Sequence, residues 1–286
     1  MSVLSLQSHV CAGHVGNAAA VPALQALGRP VWPVHTVLFS NHPGHGRFTG
    51  HAVEPAWVAD CVAGLADLPV AWEERAAVLS GYLGVPGTAA VVAWAVDRAR
   101  AGRPDLPYLC DPVIGDALPG RYVDAAIPPL MRDHLVPRAT IVTPNLFELR
   151  ALTGMPCHDL ATALAAARWL LGRGPRAVVV TSVDVPDGPE PGAARCLVTD
   201  GAGAWVVASP RLAFPRSPHG AGDLLSALYL HAWLDDPRPQ VALSQAVSAL
   251  FAVLEETWRR GAPELALLAA RDRLARPPRL WPAIRL

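Results

Sequence analysis

Apolar runs of strand length alternate with segments of helical periodicity through the first two-thirds of this chain, and that alternation limits the fold more tightly than any other feature. The runs fall at residues 3–6, 31–37, 76–80, 108–110, 139–142 and 177–181, and they are continuous enough to be buried on both faces. Between them, residues 17–27, 56–66, 88–100, 146–153 and 159–172 carry apolar side chains three and four apart. This order predicts an α/β fold, with a mostly parallel central sheet covered by helices on both faces. Beyond it, the Pro, Gly and Asp stretch at 183–192 predicts a loop, and residues 195–198 and 204–207 across Asp200-Gly201 predict a hairpin. Helices are expected at 221–234, 241–256 and 264–273. No repeat or linker divides the 286 residues, so a single domain over 1–286 is expected.

In an open parallel sheet, ligands sit beyond the carboxyl ends of the strands. Ser8 and His9 should follow the first strand, Asp111 and Asp116 the strand at 108, Thr143 to Glu148 the strand at 139, and Thr181 and Ser182 the strand at 177. All are expected on one rim. The most informative segment is Pro218-His219-Gly220-Ala221-Gly222-Asp223, a glycine-flanked turn opening an apolar helix. The free N–H groups and positive dipole end of such a helix suit an anion, against which a carboxylate needs a reason to stand. General-base work on an acceptor hydroxyl in phosphoryl transfer supplies one, and an ordinary N-cap is the alternative.

Other motifs also have two readings. Asp111-Pro112-Val113-Ile114-Gly115-Asp116 puts two carboxylates on a proline-stiffened loop that suits hard Mg²⁺ or a capped turn. Glu148 opens a helix, as a third carboxylate for a metal or as a capping box. Residues 39–51, from Phe39 and Pro43 to His51, are rich in glycine and histidine, and a substrate-covering flap suits them better than a metal site. Tyr82, between Gly81 and Gly84, could stack on a flat heteroaromatic ring or fill the core.

Composition removes alternatives. All 24 basic residues are arginine, so chemistries that require a phosphate-binding or Schiff-base lysine are excluded. Formal net charge is zero with no block of like charge, which argues against a nucleic-acid partner. No apolar run reaches the ~18 residues of a membrane span, so a soluble protein is expected. Cys11, Cys61, Cys110, Cys157 and Cys196 form no Cys-x-x-Cys pair and fit a reducing cytoplasm.

Taken in order, Leu6-Gln7-Ser8-His9-Val10, Gly13-His14-Val15-Gly16-Asn17, Phe39-Ser40-Asn41-His42, Ser80-Gly81-Tyr82-Leu83-Gly84, Cys110-Asp111-Pro112-Val113-Ile114-Gly115-Asp116, Thr143-Pro144-Asn145-Leu146-Phe147-Glu148, Val180-Thr181-Ser182 and Gly220-Ala221-Gly222-Asp223 resemble the pyridoxal kinases of the ribokinase-like superfamily nearly end to end. The resemblance implies a three-layer sandwich with a small flap, and ATP- and Mg²⁺-dependent phosphorylation of the 5′-hydroxymethyl group of pyridoxal, and of pyridoxine and pyridoxamine, in a homodimer. A monovalent cation requirement stays open. By matched positions, Asp223 is the base, and the N–H groups of Gly220, Ala221 and Gly222 form the anion hole. Ser8, Tyr82, Phe39 and the residue at Pro43 line the pyridine site. Asp111, Asp116 and Glu148 serve metal and phosphate, Thr143, Thr181 and Ser182 the nucleotide phosphates, and Ser209-Pro210-Arg211-Leu212 the adenine side. Relatives usually carry threonine where this chain has Pro43, which has no donor. A hydroxymethylpyrimidine or sugar kinase on the same scaffold, or a silent vitamer-binding protein, therefore remains an alternative.

Overall fold

A computed structural model of the chain describes residues 2–68 and 76–286. In chain order its elements begin with β1 (Val3–Ala12), α1 (Asn17–Ala26), β2 (Val31–Asn41), β3 (Gly50–Ala52), α2 (Pro55–Ala66), β4 (Ala77–Ser80) and α3 (Thr88–Arg100). They continue with β5 (Tyr108–Cys110), a small hairpin of β6 (Gly115–Asp116) and β7 (Gly120–Arg121), α4 (Ile127–Leu130), β8 (Ile141–Val142), α5 (Leu146–Thr153), α6 (Leu160–Leu171) and β9 (Ala177–Val180). The remainder is β10 (Ala194–Thr199), β11 (Ala204–Ser209), α7 (Ala221–Asp235), α8 (Pro239–Arg260), α9 (Arg271–Ala275) and β12 (Ala283–Arg285).

Among the described residues one sheet of ten strands has the order β12-β11-β10-β9-β8-β5-β4-β1-β2-β3. The strands from β2 through β1, β4, β5 and β8 to β9 are parallel, and the outer pairs are antiparallel. Successive strand residues face opposite ways, so each central strand feeds two cores. Leu4, Val78, Tyr108, Val142 and Val178 join one core with α2, α3, α5 and α6. Their neighbours Val3, Leu79, Leu109, Ile141 and Val179 join the other with α1, α7, α8 and α9. This is the expected α/β/α arrangement, and burial on both faces explains why the strands read as unbroken apolar runs. The expected hairpin is also present, with Leu197 opposite Val206 and Asp200 accepting from Ala202 and Gly203 N–H.

Three expectations need correction. Ser8 and His9 do not follow the first strand; they lie within β1, where a register shift between Gln7 and His9 re-aims the chain. Phe39 to Asn41 likewise belong to β2, and the flap segment returns as β3, which pairs Phe39 with Gly50. The helix expected over 264–273 covers only Arg271–Ala275. Leu265 and Leu267 are both buried, and Ala266 N–H bonds Thr257 Oγ1 of α8 at 2.9 Å instead of a carbonyl of its own segment.

The entrance to α1 is fixed by a buried amide. Asn17 Oδ1 accepts from Ser5 Oγ at 2.7 Å, and its Nδ2 donates to the carbonyls of Gln7 and Val34 at 3.3 and 3.2 Å, joining α1 to β1 and β2. Asn17→Ala strands these groups away from water and should cost about 2–3 kcal/mol of unfolding free energy, measured by urea denaturation.

Candidate active site

Helix α7 starts at the carboxyl edge of the parallel strands without any side-chain cap. Its N-cap, Gly220, has φ of 88°, and a Cβ there would overlap the carbonyl oxygen of His14. Only glycine combines that left-handed backbone with so close an approach. The first intrahelical bond runs from Leu224 N–H to Gly220 O at 2.9 Å, so the amides ahead of it are free to meet an anion. On the other side, a Cβ on Gly16 would overlap the backbone and hydroxyl of Ser8, and the Gly16 backbone amide favours the charged form of the Asp223 carboxylate. Ser8, Gly16 and Asp223 thereby form one wall. Desolvation pushes the Asp223 carboxyl up to about 6, partly opposed by that amide.

Two more carboxylates lie behind it. Asp111, 5% exposed, accepts from Ser226 Oγ at 3.0 Å, and Ser226 Oγ is 2.9 Å from Thr143 Oγ1. Desolvation and then the charge of Asp223 push Asp111 up to about 8. Glu148 makes the capping box anticipated as its alternative role: Oε2 accepts from Asn145 N–H at 2.9 Å and Asn145 Oδ1 accepts from Glu148 N–H at 2.9 Å. Glu148 Oε1 takes Ile114 N–H at 2.9 Å, holding the loop after β5. Burial, then Asp111, drives its carboxyl well above the usual range.

The third proposed metal carboxylate is placed differently. Asp116 is exposed at the rim, and its Oδ1 accepts the N–H of its neighbour Ala117 at 2.7 Å. Among the described residues no three His, Cys, Asp or Glu side chains are grouped to hold a metal. A divalent ion here would need part of its shell from phosphate or water. Asp111 and Glu148 suit that arrangement, since burial, then the charge of Asp223 on Asp111 and of Asp111 on Glu148, pushes both toward protonation and a hard cation would offset this.

On the far side of α7 lies a cavity of about 210 Å³ lined by Thr181, Ser182, Arg195, Ser209, Arg211, Ala221, Gly222 and Phe251 among others. It brings together four of the residues expected on the nucleotide side. Pro210 and Leu212 do not line it, and Pro210 is exposed. Ser182 has φ of 51°, unusual for a residue other than glycine. Tyr82 is half-buried against the first core, and its carbonyl accepts from Thr36 Oγ1 at 2.6 Å. Phe39 meets Phe48 at 4.9 Å between ring centroids, and Pro43 opens a short turn, Pro43–His45.

Sequence reasoning missed several members of the site. Ser226 lies one turn after Asp223 in an otherwise apolar stretch, a spacing that was available as a signal. Tyr122 follows β7, and desolvation, then the charges of Glu148, Asp223, Asp111 and Asp116, raise its hydroxyl pKa. Its place depends on the β6–β7 hairpin, which no periodicity marks.

A family model described as Phosphomethylpyrimidine kinase matches residues 16–264. A pyridoxal kinase PdxY of Rubrobacter xylanophilus is 43% identical over 286 residues, spanning 100% of this chain and 98% of the relative. One from Corynebacterium diphtheriae is 41% identical over 277 residues, spanning 97% and 96%. The solved pyridoxal kinase from Leishmania donovani in complex with ADP and pyridoxamine superposes with a TM-score of 0.90 at 28% identity, covering 100% of this chain and 99% of that one. Fold and relatives together are those of a ribokinase-like phosphotransferase. Within that class, the chain belongs to the pyridoxal kinase family.

Replacing Gly220 tests the strained turn. Gly220→Ala should lower stability by about 1–3 kcal/mol in chemical denaturation, because the new Cβ meets the His14 carbonyl.

Proposed function

We propose that this chain is an ATP-dependent pyridoxal kinase that phosphorylates the 5′-hydroxymethyl group of pyridoxal, pyridoxine and pyridoxamine. The observation that carries the reading is Asp223: a carboxyl pushed up to about 6, beside uncapped amides and between the Ser8 wall and the 210 Å³ cavity. In the reaction the Asp223 carboxylate takes the proton of the acceptor hydroxyl as its oxygen bonds the γ-phosphorus. The bond from that phosphorus to the leaving ADP oxygen breaks. The amides of Gly220, Ala221 and Gly222 hold the charge on the migrating group. Ser226 and Thr143 keep Asp111 oriented, and Glu148 fixes the loop that carries Ile114 and Gly115. Mg²⁺, when bound with the nucleotide near Asp111 and Glu148, would neutralise phosphate charge.

Ser8, Phe39, Pro43 and Tyr82 form the proposed ring side, and Thr143, Thr181, Ser182, Ser209 and Arg211 the nucleotide side. A single domain with residues 39–51 as flap belongs to the same proposal. So does a homodimer, supported by the exposed apolar side chains of Leu38, Phe48 and Trp57. A cytoplasmic location is supported by five free thiols. No helix among the described residues is long and apolar enough to cross a membrane.

The deciding experiment offers the three vitamers and hydroxymethylpyrimidine with Mg·ATP. Phosphorylation of pyridoxal is expected; turnover of the pyrimidine with pyridoxal inert would transfer the assignment. Asp223→Asn should slow turnover by roughly 10²–10⁴ while leaving pyridoxal binding largely intact. A silent binder would show no such loss. A base works only when ionised, so kcat/KM should fall as pH drops through about 6, roughly tenfold per unit below it, and a flat profile from pH 7 to 5 would remove Asp223 from the role.

A further inference from the structure

The flap segment touches the catalytic turn through aromatic rings. His42, at the end of β2, stacks on His219 with centroids 3.8 Å apart and planes 27° from parallel. His219 immediately precedes Gly220. Gly44, in the flap turn, lies so near that a Cβ on it would overlap His219 Nε2, and Gly44 N–H donates to His42 Nδ1 at 3.0 Å. His219 Nε2 is buried with no hydrogen-bond partner. A second tie holds the same turn, since His45 Nε2 is 2.6 Å from Glu264 Oε1. Arg47 and Phe48, beyond this clasp, are exposed.

We propose that His219 is a positioning residue, acting through its stack on His42 to latch the flap over the acceptor alcohol and so setting affinity for that substrate. This rests on the pyridoxal kinase reading for the substrate's identity, though not for the latch itself. The contact is of the right kind. Two flat rings give a sizeable, geometry-dependent attraction, and a glycine at 44 lets the backbone close upon them. Both rings stack best uncharged. Desolvation, then His219, His45 and Arg216, lower His42 to about 4. Desolvation, Arg216 and His45 lower His219 against an opposing pull from Glu264. Pro43 has no donor to offer a ring substrate, so on this reading the flap contributes closure. His219 also lies next to Gly220, so the latch joins the flap to the start of α7.

Two readouts separate the latch from the identity of the substrate. Limited trypsin digestion of the intact protein without substrate, followed by mass spectrometry for cleavage after Arg47, reports flap opening directly. Steady-state kinetics with pyridoxal reports its consequence. His219→Ala should speed cleavage after Arg47 and raise KM for pyridoxal about three- to tenfold, with kcat changed less than threefold. His219→Phe, which keeps a stacking ring, should restore both. Gly44→Ala, an exchange in the exposed flap turn, should reproduce the His219→Ala pattern by forcing the rings apart, and stands in if His219→Ala does not fold. Wild-type cleavage rates in His219→Ala or Gly44→Ala, or failure of His219→Phe to restore KM, would overturn the latch. Inert pyridoxal with accelerated cleavage would overturn the substrate assignment and leave the latch standing.

Discussion

Three carboxyl groups, buried Asp111 and Glu148 and half-buried Asp223, have amides and hydroxyls as their principal partners. Each is pushed toward protonation, chiefly by burial, and Asp111 is pushed further by Asp223. An acid whose folded pKa exceeds its unfolded value costs stability once pH rises past the unfolded value, and the cost grows until the folded value is passed. At neutral pH the fold carries that cost through its two apolar cores. What it gains is an acid ready to accept a proton and a place where phosphate charge and a cation restore balance. The uncapped start of α7, the capping box on Glu148 and the Ser226 hydroxyl all answer to this crowding.

Close backbone approach is the means by which the crowd is assembled. Gly16 lies against Ser8, with its amide favouring the Asp223 carboxylate, while Gly220 lies against His14. The loop between β1 and α1 is thus wedged between the acceptor wall and the catalytic turn, and Asn17 pins its far end to β1 and β2. Motion of that loop would move Asp223 and the Gly220 turn, the proposed base and anion hole, together. The cavity on the opposite face of α7 shares Ala221 and Gly222 with this assembly, so the proposed nucleotide and alcohol sides meet at one helix turn.

The family model is described for a pyrimidine substrate, whereas the full-length relatives at 41% and 43% identity are pyridoxal kinases. The two chemistries share the phosphoryl-transfer half of the site. They differ at the ring, and on the proposed ring side this chain has a proline at 43 and two stacked imidazoles nearby.

The sequence by itself determined the layered α/β fold, because strands buried on both faces must be apolar throughout and helices buried on one must be periodic. It also singled out Asp223, Asp111, Glu148, Thr181 and Ser182, whose positions at strand and helix ends follow from local pattern. It did not show that Ser8 stays within a strand, since a register shift depends on pairing with β2, nor that Asp116 stands at the rim. Ser226, Gly16 and Tyr122 became part of the site only in three dimensions, through contacts between segments more than a hundred residues apart or through a two-residue hairpin with no periodic signature. The flap's clasp on His219 belongs to the same class: stacking requires two rings to meet, and no local preference of residue 42 or residue 219 can specify where the other will be.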